Sequence, residues 1–215
     1  MITKTTNEDP LNKPAQEQDR KRIVLDILAR PEVRLNLLIM CIVWTTASSN
    51  TYLLYFLVNT FERQNVTALF FTLADIIAYV LSSTIVEKFS AKQTLVASFG
   101  VATIGGLLTL TYGLDHQDSI AFSAFVFLSR FGMSCAYGTV FYGNSKIFPE
   151  EVQATTIGVC SVVARIFCAC QILFSQLEQP TPMLIFTISS AVTAILCFFI
   201  QEKDRVSTVD ATEKD

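Results

Sequence analysis

The sequence predicts an all-α integral membrane protein of six transmembrane helices, and three observations carry that prediction. Hydrophobic residues fill 51% of the 215 positions and charged residues only 16%, against about 25% charged residues in a soluble globular domain. The charges are also segregated: of 35, 21 fall in residues 1–34 and 201–215, leaving 14 for the 166 residues between. A span needs about 20 apolar residues to cross a hydrocarbon core of about 30 Å, so the middle segment with short connections holds about six. That arithmetic excludes the soluble enzyme classes. A net charge of −3 offers no basic face for nucleic acid.

Residues 1–34 are a polar N-terminal tail. Within it, residues 17–30 set Ile23, Ile27 and Leu28 against Arg20, Lys21, Asp26 and Arg30, and Pro31 stops the run. This pattern predicts a short amphipathic helix lying on the membrane surface. Met1 to Arg20 has no apolar core and contains Glu8, Asp9, Glu17 and Asp19, which does not fit a cleavable signal or a standard mitochondrial leader.

The transmembrane domain, 35–200, divides into spans at about 35–59, 65–86, 93–112, 119–141, 153–176 and 181–200, read from its apolar runs. Short polar breaks separate them, as at Glu87-Lys88-Phe89-Ser90 and Glu178-Gln179-Pro180, so chain neighbours run antiparallel. The termini with the connections at 87–92 and 142–152 hold 13 Lys and Arg, while the opposite connections hold only Arg63. Both termini are therefore expected on the cytoplasmic side, or the matrix side of a mitochondrion. The mitochondrial inner membrane is one location this leaves open and the plasma membrane is the alternative. The third and sixth spans contain no charge and suit the lipid-facing periphery. Residues 201–215 form a second polar tail.

The six cysteines, Cys41, Cys135, Cys160, Cys168, Cys170 and Cys197, all lie in apolar stretches and imply no disulfide framework. Cys168 and Cys170 stand about 200° apart on a helix, which disfavours a metal pair. The lone His116 has no catalytic companion, and no nucleophile motif is present. No enzyme activity, metal or cofactor is expected. The sequon Asn65-Val66-Thr67 abuts a span, which disfavours glycosylation there.

Three spans carry one ionisable residue each: Asp75, Arg130 and Arg165. Each sits near the midplane, where a charge costs at least about 2.5–3.5 kcal/mol and so faces a bundle interior or wet cavity. One reading is an internal ion pair between Asp75 and one arginine. The other arginine is then left over, and a guanidinium without a carboxylate seeks an anion, a carbonyl or water. The fifth span also aligns Ser161, Ala164, Arg165, Cys168, Gln171 and Ser175 along one polar or small stripe, suited to lining a cavity or to close helix approach.

These charges sit in a pattern that resembles the C-terminal half of a major facilitator superfamily transporter, in its organic anion, cation and carnitine branch. Leu25 to Arg34 is similar to the segment preceding that family's seventh helix, and Trp44 and Tyr52 fall where the helix carries Trp and Tyr. Asp75-Ile76-Ile77-Ala78 resembles the family's Asp-Leu-Pro-Ala. Ser129-Arg130-Phe131-Gly132, Lys146-Ile147-Phe148-Pro149, Val152-Gln153-Ala154-Thr155 and Gly158 to Arg165 resemble its most specific run. The resemblance implies a six-helix half built as a 3+3 inverted repeat, with Arg165 matching the arginine of anion and carnitine members. It implies substrate contact by Arg165, Arg130, Asp75, Tyr52 and Trp44.

Departures gather in the gate. The family's Gly-x-x-x-Asp-Arg-x-Gly-Arg-Arg appears as Ser83 to Lys92, retaining Glu87, Lys88 and Lys92, while Lys146 and Gln153 replace a Glu and an Arg. Phe167 and Cys168 replace a Gly-Gly pair, and Ile172 replaces a Pro. With one half and a reduced gate, the leading expectation is an accessory subunit of a larger membrane assembly, contacting lipid and other subunits through both tails. The alternative is transport of small organic anions as a homodimer or with a separate N-terminal half.

Overall fold

The computed structural model describes residues 30–58, 64–113 and 119–200, and helix is the only regular secondary structure among them. In chain order the helices are α1 (Pro31–Val58), α2 (Gln64–Lys88), α3 (Ala91–Leu108), α4 (Ile120–Ile147), α5 (Glu150–Ser175) and α6 (Thr181–Cys197). Each overlaps one predicted span. Among the described residues α1 to α5 are long and apolar enough to cross a membrane, and α6 has 17 residues, the low end of what a span requires. The surface helix expected at 17–30 and the tail at 201–215 lie outside the described residues, apart from Arg30.

Local chemistry explains the helix starts. Pro31 opens α1 and Pro182 sits in the first turn of α6, where a missing N–H costs no intrahelical hydrogen bond. Ser90 caps α3 by accepting from the Gln93 N–H at 3.2 Å, and Ser119 caps α4 by accepting from the Ala121 N–H at 3.1 Å. A π-helical turn, Thr109–Gly113, follows α3.

Apart from α3 and α4, which pack extensively on each other, chain neighbours are not the main packing partners. α2 leans on α4, α5 leans on α1, and α3 packs against both α4 and α6. The second helix of each triplet thus rests on the first helix of the other, as expected for two three-helix repeats of inverted topology. Consequently α1 and α4 are central: 61% and 56% of their spanning stretches are buried, against 28% for α2 and 18% for α5.

Small residues set how closely the helices approach. A Cβ added at Gly132 in α4 would stand 2.5 Å from the Ala102 nitrogen and 2.6 Å from the Ser98 oxygen of α3. Ser98, Phe99, Ala102, Gly105 and Gly106 are all buried. The third span, expected on the periphery because it lacks charge, is therefore a packing helix, and its small residues are the cause. Polar groups tie α6 to α1: Asn50 Nδ2 donates to Ser189 Oγ at 2.9 Å and Ser190 Oγ at 3.0 Å, and Thr193 donates to Thr46 at 3.0 Å. Interhelical bonds of this kind contribute about 0.6 kcal/mol each in a membrane. On its outer face α6 exposes Ile188, Val192 and Ile195, a surface suited to lipid.

Candidate functional site

Asp75, Arg130 and Arg165, counted from Gln64, Ile120 and Ser175, each lie roughly 15–17 Å along their helices at 1.5 Å per residue. The shared depth does not give them a shared environment. Arg130 on α4 meets Asp75 on α2 in a bidentate pair, Nε to Oδ1 at 2.8 Å and Nη2 to Oδ2 at 2.8 Å. Its remaining Nη1 donates to the Thr51 carbonyl of α1 at 3.1 Å. Asp75 also accepts from the hydroxyls of Ser134 and, at 2.9 Å, Tyr55.

The Tyr55 ring lies 4.0 Å from the Arg130 guanidinium carbon, and Phe71 lies 5.4 Å from it. Side-chain exposure is 2% for Arg130 and 18% for Asp75. Every donor direction used by this guanidinium ends on an acceptor or an aromatic face, which is what makes burial of an ion pair tolerable. The arrangement fastens α1, α2 and α4 together.

Arg165 lies elsewhere, on the exposed side of α5. Among the described residues no carboxylate or hydrogen-bond partner meets it. It borders a cavity of about 120 Å³ whose walls come from three helices. α1 contributes Trp44, Ser48 and Tyr52, one residue per turn. α5 contributes Ser161, Ala164, Arg165 and Cys168 from the stripe noted in the sequence. α4 contributes Tyr137 and Phe141. The aromatic rings brace each other, with centroids 4.6 Å apart for Trp44 and Phe141 and 5.4 Å apart for Tyr137 and Phe141, both edge-on.

The cavity therefore brings together Arg165, Trp44 and Tyr52, and does not include Arg130 or Asp75. Tyr137 and Phe141 are additions that the sequence reading passed over. Their signal was available: Arg130, Ser134, Tyr137 and Phe141 follow a 4, 3, 4 spacing that places them on one face of α4. Chemically, the cavity offers one guanidinium, two serine hydroxyls, a thiol and an aromatic wall, a set that binds and does not suggest bond breaking.

The residues at the gate signature are dispersed. Lys88 is exposed at the end of α2, and Lys92 is half-buried in the first turn of α3. The side chain of Glu87 lies outside the described part of the structure. Lys146 places its Nζ 4.7 Å from the centre of the Tyr142 ring. Gln153 is committed to the α4–α5 junction, where Nε2 donates to the Ser145 and Phe148 carbonyls at 2.9 and 3.1 Å. Asn144 reinforces that junction by donating to the Gln153 carbonyl at 3.3 Å and accepting from Thr156 at 3.0 Å.

A family model described as Major Facilitator Superfamily matches residues 2–170. The chain is 24% identical to Solute carrier family 22 member 21 of Mus musculus, over 100% of this chain and 40% of that protein. It is 23% identical to Solute carrier family 22 member 13 of Homo sapiens, over 83% of this chain and 33% of that protein. It is 24% identical to an Organic cation transporter protein of Drosophila melanogaster, with the same two coverages of 83% and 33%. The chain thus spans about a third to two-fifths of the length of these relatives.

Proposed function

This chain belongs to the Major Facilitator Superfamily, and on that premise we propose that it is one six-helix half of a carrier for small organic anions, with Arg165 as the anion-binding group. It is a transporter-like integral membrane protein and not an enzyme. The observation that carries the anion reading is the contrast between its two arginines of similar depth along their spans. Arg130 is saturated by Asp75 and Thr51, whereas Arg165 borders an aromatic-walled cavity.

In this reading a carboxylate takes the Arg165 guanidinium in a forked pair, and Trp44 and Tyr52 hold the organic body. Tyr137 and Phe141 close the wall behind it. Arg130 and Asp75 hold the helices that carry that wall. The volume, about 120 Å³, falls below the roughly 300–1,000 Å³ of complete small-molecule sites. The wall is accordingly part of a site that an opposing half, from a second copy or another chain, would complete. The Lys and Arg distribution supports placing both termini on the cytoplasmic or matrix side.

Trp44 is the chain's single tryptophan and reports directly on the cavity. Titration of the full chain in lipid nanodiscs with benzoate should change Trp44 fluorescence, and Arg165→Gln should require at least tenfold more benzoate. An unchanged midpoint in Arg165→Gln would overturn the assignment. A second reading, an accessory subunit of a larger membrane assembly, draws on the Gln153 junction, where an uncharged side chain bonds carbonyls at a position of the gate signature. Purification from native membrane in mild detergent tests it: comigration with a multiprotein complex supports the subunit role, and migration as a free monomer or dimer opposes it.

A further inference from the structure

α1 and α5 are parallel and share one register. Cys41 faces Cys160 with 3.3 Å between sulfurs, and Ser49 faces Cys168 at 3.8 Å, both pairs separated by the same 119 positions. Between them Thr45 falls opposite Ala164, so the seam is built from small residues at every turn. Cys41 and Cys160 are each the eleventh residue of their helix, so the two thiols lie at one depth.

From this geometry we infer that Cys41 and Cys160 are a redox-sensitive pair that a hydroperoxide converts into a disulfide linking α1 to α5. The sulfurs need to close by only about 1.2 Å to reach the roughly 2.05 Å of a disulfide. Access is asymmetric. Cys160 is fully buried, while Cys41 is half-buried and borders an apolar groove of about 240 Å³ with Ile42, Thr45, Val163 and Phe167. Cys41 is thus the thiol an oxidant meets first.

Its sulfur attacks the terminal peroxide oxygen, breaking the O–O bond; Cys41 becomes a sulfenic acid and the hydroperoxide leaves as an alcohol, or as water from hydrogen peroxide. The Cys160 sulfur then attacks the Cys41 sulfur and displaces the sulfenic oxygen as water, the two thiol protons ending in the products. One peroxide is reduced and two thiols are oxidised. The link fixes one helix that carries Trp44, Ser48 and Tyr52 to another that carries Ser161 and Arg165, so oxidation holds the cavity walls in one spacing. The remaining cysteines lack this arrangement: Cys135 and Cys197 are buried singly, Cys168 faces the Ser49 hydroxyl, and Cys170 is exposed on α5 without a facing thiol.

The full chain in lipid vesicles is treated with hydrogen peroxide in the water phase, or with a phospholipid hydroperoxide in the bilayer at equal total peroxide. Free thiols are then alkylated and peptides analysed by mass spectrometry. The expected result is a Cys41–Cys160 peptide pair lighter by two hydrogens than the reduced pair, abolished by a thiol reductant, while Cys170 remains open to alkylation or carries a simple oxide. Faster linkage from the bilayer hydroperoxide assigns the groove as the route, and faster linkage from the aqueous arm assigns hydrogen peroxide as the oxidant. In Cys160→Ser, Cys41 should accumulate as a sulfenic acid captured by dimedone. Recovery of Cys41 and Cys160 as alkylated thiols in both arms, or a Cys160→Ser chain with no dimedone on Cys41, overturns the inference.

Discussion

Arg130 and Arg165 are the same residue type at nearly the same depth, and they differ in the polar partners their neighbours supply. Arg130 is held by a carboxylate, a carbonyl and two aromatic faces. Arg165 is exposed beside a cavity with no carboxylate among the described residues. Position in a span says only that a charge needs a partner. Which partner it finds, a side chain of the same bundle or a group from outside, is decided by the helix that happens to face it.

The comparison breaks most severely at Asp75. Asp75→Ala leaves the Arg130 guanidinium buried without its counter-charge and should cost about 3–5 kcal/mol, read as a loss of folded monodisperse protein in detergent. The double change Asp75→Leu with Arg130→Met should recover most of that loss, since the desolvation cost disappears with both charges. A smaller effect is expected from Gly132→Leu, which forces α4 away from Ala102 and Ser98 and should cost about 1–3 kcal/mol, seen as a lower midpoint of thermal unfolding. Tyr55→Phe keeps the ring over Arg130 and removes one hydroxyl from Asp75. It should cost about 1 kcal/mol by the same measurement. At the far end stands Arg165→Gln, expected within about 0.5 kcal/mol of the parent in stability, as for other exposed positions. A large destabilisation in Arg165→Gln would erase the distinction between the two arginines.

Much of the fold was legible because lipid imposes one demand on every span: about 20 apolar residues with their backbone bonded internally. All six helices overlap segments that hydropathy located, and the resemblance to one half of the superfamily agrees with the family match over residues 2–170. The identity of Asp75's partner was not legible, because two arginines share its depth and hydropathy does not encode which helix faces which. The burial of α3 was misread for a related reason. Absence of charge is shared by lipid-facing and packing helices, and only Ser98, Ala102, Gly105 and Gly106 distinguish them. Of the cavity, Arg165, Trp44 and Tyr52 were named from the sequence, while Tyr137 and Phe141 required the α4 face to be followed two turns beyond Ser134.

The exchange of partners between triplets also bears on how the chain is made. α2 finds its main support in α4, and α5 in α1, so neither gains that support from the helix made immediately before it. The first three spans must wait in the bilayer, with the Asp75 carboxylate lacking the Arg130 guanidinium, until α4 has been synthesised and delivered. An insertion machine that shelters early spans before releasing them suits this order of assembly, and a chain arrested before residue 120 would present the quality-control system with α1 but without α4, the other central helix.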